Sequence, residues 1–252
     1  MKLTDNTIFI TGGASGIGRG LAEAFHQRGN KVIIGGRRKA LLEQVVAANP
    51  GMEAIELDVA DPASIDAAAQ TLMARYPSLN VLVNNAGMMP FDDASGVLDD
   101  AQTRTLVDTN LLGPIRLASA LIEHLKRQPE ATIIHNTSVL AFVPLAATAV
   151  YSATKAALHS YAMSQRFMLR DTSVRVQEIA PPWVDTDLIK KSGDPRAMPL
   201  DAFIAETMQG LAYDGEEVVV AAIEGFRANP GPGEYALFNG FNADMTVNPI
   251  PV

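Results

Sequence analysis

The chain has 252 residues, of which 48% are hydrophobic and 19% charged, enough apolar material for one sizeable core and too little charge for a disordered chain. Its 20 basic and 28 acidic side chains leave a net charge of −8, a field that repels nucleic acid and anionic membrane surfaces, so any anionic ligand must be held by local groups. The absence of cysteine excludes disulfides, thiolate metal sites and a cysteine nucleophile together.

The opening segment MKLTDNTIFITGG enters a strand-like run within a few residues and carries no apolar leader, and no later run approaches the ~18 apolar residues of a membrane span. A cytoplasmic protein is the expectation. Short β-branched runs then alternate with longer amphipathic stretches. Strands are expected at 7–11, 31–35, 53–57, 81–85, 131–138 and 174–180, and helices at 14–28, 38–48, 62–76, 99–126 and 150–170. This rhythm predicts an α/β fold, a doubly wound parallel sheet of Rossmann type in three α/β/α layers, with residues 1–252 as a single domain. Punctuation agrees: Asp61-Pro62 reads as an N-cap with proline at the first helical position, and Gly29 as a left-handed stop to the first helix. The irregular stretch 187–214, with a short helix expected at 201–209, follows a strand end and is a candidate lid over a site.

Where the first strand meets the first helix stands TGGASGIG, 11–18. Gly12 permits the tight turn, Gly16 lets the backbone approach a phosphate and Gly18 lets the helix pack on the sheet, with N–H groups at the helix start facing the anion. The spacing Gly12-x-x-x-Gly16-x-Gly18 differs from the common three-glycine fingerprint, and Gly18 is followed by Arg19-Gly20, without the lysine and Ser or Thr that would make a P-loop. A dinucleotide bound through its pyrophosphate fits best. At the end of the second strand, Gly35 and Gly36 stand where an acid would bond the ribose of NAD, and Arg37 and Arg38 follow directly. Two guanidiniums without a carboxylate favour the extra phosphate of NADP(H) over NAD(H).

Together TGGASGIG, LDV (57–59), NNAG (84–87), TNLLG (109–113), TSV (137–139) and YSATK (151–155), in this order, resemble the short-chain dehydrogenase/reductase family from Thr7 to about Thr186. The resemblance implies cofactor contacts at Gly12, Ser15, Gly16, Ile17 and Gly18, at Asp58 and Val59 beside the adenine, and at Asn85, Ala86 and Gly87. It implies a catalytic set of Asn110, Ser138, Tyr151 and Lys155, with Tyr151 and Lys155 also touching the cofactor and Asn110 holding a water that relays protons to Lys155. PPWVDT (181–186) resembles the segment whose Val184 and Thr186 would anchor the nicotinamide carboxamide, with Pro182 standing where the family has glycine.

The residues support such chemistry directly. Hydride delivery to a carbonyl carbon builds negative charge on oxygen, which needs a hydrogen-bond donor and then a proton. Tyr151 can supply the proton, and Lys155, one helical turn away, is expected to pull the phenol below its ordinary pKa of about 10. Ser138 is placed to hold the substrate oxygen. Met88, Met89, Leu140, Phe142, Trp183 and Met198 are strand-end or loop residues that could line a substrate pocket. His26, His124, His135 and His159 have no ligand-like spacing, so no metal site is expected.

The reading is an NADP(H)-dependent oxidoreductase of carbonyl reductase type acting on a small-molecule ketone, aldehyde or alcohol. An NAD-dependent alcohol dehydrogenase, a sugar-nucleotide epimerase or dehydratase, and a dinucleotide-sensing protein without chemistry are the alternatives. A homodimer through 99–126 and 150–170 is expected from their broad apolar faces; the C-terminus lacks the Gly-Gly pair associated with tetramers of the family.

Overall fold

In a computed structural model of the protein, residues 1–189, 193–213, 215–228, 231 and 233–249 are described. The chain runs β1 (Thr7–Thr11), α1 (Gly16–His26), β2 (Lys31–Gly36), α2 (Lys39–Ala48), β3 (Glu53–Glu56), α3 (Pro62–Arg75) and β4 (Leu79–Asn84). It continues through α4 (Asp100–Val107), a π-helical turn (Asp108–Leu112), α5 (Gly113–Lys126), β5 (Ala131–Asn136), α6 (Ala149–Leu169), β6 (Val174–Ala180), α7 (Leu200–Ala212), β7 (Glu217–Val219), α8 (Glu224–Arg227) and α9 (Glu234–Val247). Among the described residues the seven strands form one parallel sheet in the order β3-β2-β1-β4-β5-β6-β7, the expected doubly wound α/β arrangement.

Alternate residues of the strands serve the two faces, as the pleat requires. Ile8, Ile10, Val32, Ile34, Val81, Val83 and Ile134 pack with Leu21 and Phe25 of α1, Leu42 and Val45 of α2, and Phe203 of α7. Phe9, Ile33, Leu82, Ile133 and Val176 turn the other way, onto α3, α5 and α6. Both faces of the central strands are therefore dry, which explains their nearly unbroken apolar runs.

Local signals were decisive at several boundaries. Asp61 accepts a hydrogen bond from the Ala63 N–H at 3.0 Å, with Pro62 at the first helical position, and Gly29 takes φ +82° just beyond α1. The expected helix 99–126 is interrupted: at 108–112 the ladder widens, with the Gly113 N–H reaching back to the Asp108 carbonyl. Such a turn admits one extra residue and is common at functional sites. β7 was not anticipated, because three residues on a sheet edge carry too short a pattern to detect.

The candidate lid 187–214 divides. A 3₁₀ turn spans Asp187–Ile189, and residues 190–192 and 214 lie outside the described residues. α7 is longer than the expected 201–209 and buries Phe203, Thr207, Met208 and Leu211 in the core, so it belongs to the scaffold. Phe203 of α7 is fully buried in the apolar cluster on that face of the sheet. Phe203→Ala should cost about 3–5 kcal/mol through lost burial and the cavity left behind, read as a lower urea midpoint.

Candidate active site

The strand order reverses between β1 and β4, and the loops leaving the carboxyl ends of the strands part there around one large cavity of about 970 Å³. At its floor is the β1–α1 turn. Gly12 holds φ +68°, and a Cβ on Gly18 would stand 2.4 Å from the Gly12 carbonyl oxygen and 2.3 Å from Asn85 Nδ2. The Ser15 side chain does not cap α1, so the first-turn N–H groups have no side-chain partner. Arg38 donates to Ser15 Oγ at 2.7 Å, which lays its guanidinium on the lip of this turn.

Asn85 sits beneath the turn. Its Nδ2 donates to the Thr11 carbonyl at 2.9 Å, and its Oδ1 accepts from Asn136 Nδ2 at 2.8 Å. The Thr11 hydroxyl in turn accepts from the N–H groups of Asn85 and Ala86. Asp58 accepts from the Ala60 N–H at 2.9 Å, closing the loop after β3.

On the opposite wall, Ser138 follows β5 and accepts from the Leu140 N–H at 3.1 Å, which leaves its own proton to donate. It hydrogen-bonds the Tyr151 phenol, and both side chains are buried. Lys155, one turn along α6, is 5% exposed; its Nζ donates to the Asn136 carbonyl at 2.7 Å and stands 5.6 Å from the Tyr151 ring centre. Burial pushes the phenol up to about 12, opposed by the Ser138 hydrogen bond, and burial pulls the Lys155 ammonium down to about 8. The expected lowering of Tyr151 by Lys155 is thus reversed: desolvation of the phenol raises it, while the Lys155 ammonium is aimed at the Asn136 carbonyl oxygen.

Gly12, Ser15, Gly16, Ile17, Gly18, Arg37, Arg38, Asp58, Val59, Asn85, Ala86, Gly87, Ser138, Tyr151, Lys155, Val184 and Thr186 all line this one cavity, with Leu140, Trp183 and Met198. Val184 pairs with Met198 as an isolated parallel bridge, and Thr186 packs over Gly16, so the segment after β6 folds back across the glycine-rich turn. Three expected residues stand off the wall. Asn110 lies in the π-helical turn with its amide committed at both ends, Oδ1 accepting from the Met88 N–H at 3.0 Å and Nδ2 donating to the Met88 carbonyl at 2.8 Å. The Asn110 side chain therefore holds the segment after β4. Met88 packs against the apolar cluster of Leu106, Leu140, Leu145 and Tyr151 without itself lining the cavity. Phe142 packs edge-on against His159 at 5.2 Å and under the Arg227 guanidinium at 4.8 Å.

Met89 lines the cavity as expected, and the structure adds residues that no motif announced: Val143, Leu145, Ile223, Phe226, Phe241 and Met245. It also gathers His159, Glu178 and Glu217, whose ligand atoms lie within 4.8 Å of one another. Their carboxylates are engaged by Arg166 and Arg227, so the group fits a buried ion network better than a metal site.

The short chain dehydrogenase family model matches residues 6–197. The uncharacterized oxidoreductase DltE of Bacillus subtilis is 41% identical over 233 residues, covering 90% of this chain and 92% of its own. Among solved structures, a short chain dehydrogenase from Burkholderia cenocepacia in complex with NADP superposes with a TM-score of 0.83 at 26% identity, over 97% of this chain and 99% of that one. A 3-ketoacyl-(acyl-carrier-protein) reductase from Brucella melitensis complexed with NADH gives 0.77 at 27%, over 84% and 93%. No helix among the described residues is long and apolar enough to cross a membrane.

A lysine held below its ordinary pKa is penalised while charged; the penalty is full below about pH 8 and is relieved as pH rises toward the unfolded value of 10.5. Thermal unfolding of wild type and Lys155→Met should therefore show the difference in stability moving in favour of wild type between pH 8 and pH 10.

Proposed function

Because the chain belongs to the short-chain dehydrogenase family, we propose that this oxidoreductase interconverts a ketone or aldehyde with an alcohol, using NADP(H) and Tyr151 as the proton donor and acceptor. One observation carries the reading: Ser138, Tyr151 and Lys155 are buried together on the wall that faces the glycine-rich turn within the same cavity.

The residues present fit a nicotinamide dinucleotide phosphate. A Cβ at Gly13 or Gly18 of the turn would collide with Ile34 or with the Gly12 carbonyl, the start of α1 offers N–H groups without a side-chain cap to a pyrophosphate, and Thr186 lies over the turn at Gly16, with Val184 two residues before it on the same wall. A 2′-phosphate would meet Arg38, held at the lip by Ser15, with Arg37 beside it on the wall. An NAD-dependent enzyme is the second reading, since one structural relative is complexed with NADH; the arginine pair and the lack of an acid at 35–36 weigh against it.

When bound, the nicotinamide supplies or removes the hydride. In reduction, the Ser138 hydroxyl donates to the carbonyl oxygen as negative charge builds, and the Tyr151 phenol then transfers its proton there. With burial holding the phenol near 12, Tyr151 stays protonated across neutral pH and is ready as an acid. In oxidation it must first become a phenolate, which the Lys155 ammonium and a nicotinamide cation both favour. Lys155 keeps its place through the Asn136 carbonyl, and Asn110 fixes the Met88 segment at the edge of the site. The exposed Met163, Phe167 and Met168 on α6 support pairing of two copies through the α5 and α6 surface.

Titration with NADPH and NADH in parallel, followed by cofactor fluorescence, tests the clamp: NADPH should bind more tightly, and Arg38→Ala should weaken it by about 10- to 100-fold while leaving NADH unchanged. Equal affinity in the wild type refutes the NADP assignment. Tyr151→Phe should retain cofactor binding and lose about 10²–10⁴-fold in turnover, whereas near-normal activity would remove Tyr151 from the mechanism.

A further inference from the structure

The substrate end of the cavity is closed by the chain's own C-terminal helix. α9 brings Phe241, Asp244 and Met245 to the wall, and Phe241 and Met245 pack into the same apolar cluster as Leu140, Leu145 and Tyr151. Phe226 of α8 stands edge-on to Phe241, ring centres 5.8 Å apart at 78°, and lines the same wall. The helix is fixed at its centre. Asn242 accepts from the Ala146 N–H through Oδ1 and donates through Nδ2 to the Pro144 carbonyl at 3.0 Å, which ties α9 to the loop joining Ser138 to Tyr151. From the other side of the opening, Arg196 lies 5.0 Å over the Trp183 ring and donates to the carbonyls of Asn248 and Pro249, so the tail after α9 is held as well.

Charge narrows what this wall can receive. Among the described residues lining this end, the cations are Lys155, committed to the Asn136 carbonyl, and Arg196, paired with Asp194 at 2.7 Å. Asp187 and Asp244 add negative charge there. A substrate carboxylate or phosphate would lose water and gain no cation in return, while an apolar group would meet two rings and a thioether.

We propose that α9 is the specificity wall of the substrate compartment: Phe241 and Met245 select a carbonyl compound whose larger substituent is neutral and apolar, and their bulk sets how large that substituent can be. The proposal rests on the oxidoreductase reading above, so its test includes a readout independent of turnover. With NADPH, kcat/KM is measured for acetophenone, methyl naphthyl ketone and the para-carboxylate of acetophenone, in wild type, Phe241→Ala and Met245→Ala. In parallel, wild type and Met245→Ala are irradiated with benzophenone, an apolar ketone that inserts into nearby C–H bonds, and the labelled peptides are mapped.

The wild type should prefer acetophenone to its carboxylate by at least about tenfold, and Phe241→Ala should shift the naphthyl-to-phenyl ratio by about tenfold toward naphthyl with NADPH affinity unchanged. The photolabel should fall within 241–245, be displaced by methyl naphthyl ketone and decline in Met245→Ala. Turnover with unchanged ratios in both variants overturns the wall and leaves the oxidoreductase reading standing. A label absent from α9 also overturns it. A label on α9 without turnover of any ketone supports the apolar binding wall and refutes the carbonyl chemistry instead.

Discussion

One chain of hydrogen bonds joins the parts on which the site depends. It runs from the Thr11 carbonyl through the amide of Asn85 to the Asn136 side chain, and the Asn136 main-chain carbonyl receives the Lys155 ammonium. These groups come from the ends of β1, β4 and β5 and from α6. The glycine-rich turn and the buried Tyr151–Lys155 pair are thereby held in one frame without a flexible loop between them. The same amide occupies the space beneath Gly18, so the turn approaches the sheet only because that position carries no side chain.

The price of this frame is electrostatic. Lys155 and Tyr151 are both removed from water, and each is pushed toward its neutral form. A lysine and a tyrosine packed for stability alone would stay solvated; here they are buried at the meeting point of a cavity, a serine hydroxyl and the carboxyl end of β5. Strongly perturbed groups converging in a cleft mark a candidate functional site on physical grounds. The π-helical turn fits the same pattern: it interrupts a regular helix so that a fully engaged asparagine can hold the Met88 segment beside the cavity.

The two halves of the cavity differ in origin. The end beside the glycine-rich turn is built from contiguous turns after β1 and β2, where glycines, N–H groups and arginines lie within one short motif each. The opposite end is assembled from pieces distant in the chain, the segment 195–199, α8 and α9, around the loop that follows β5. The ion network of Arg166, Glu178, His159, Glu217 and Arg227 links α6, β6, β7 and α8 against Phe142.

The sequence by itself determined whatever rests on local pattern: six of the seven strands, the caps at Asp61 and Gly29, the glycine turn, and the Ser138, Tyr151 and Lys155 spacing. These are legible because period, backbone freedom and helical geometry act within a few residues. Only the tertiary structure decided the rest. Asn110 turned out to serve Met88, Phe142 to serve the ion network, and α7 to serve the core, since each depends on partners from other elements. The direction of the Tyr151 shift depended on burial, which no spacing reports. Phe241 and Met245 carry no motif at all; they reach the cavity because Asn242 docks their helix on a loop 96 residues earlier in the chain.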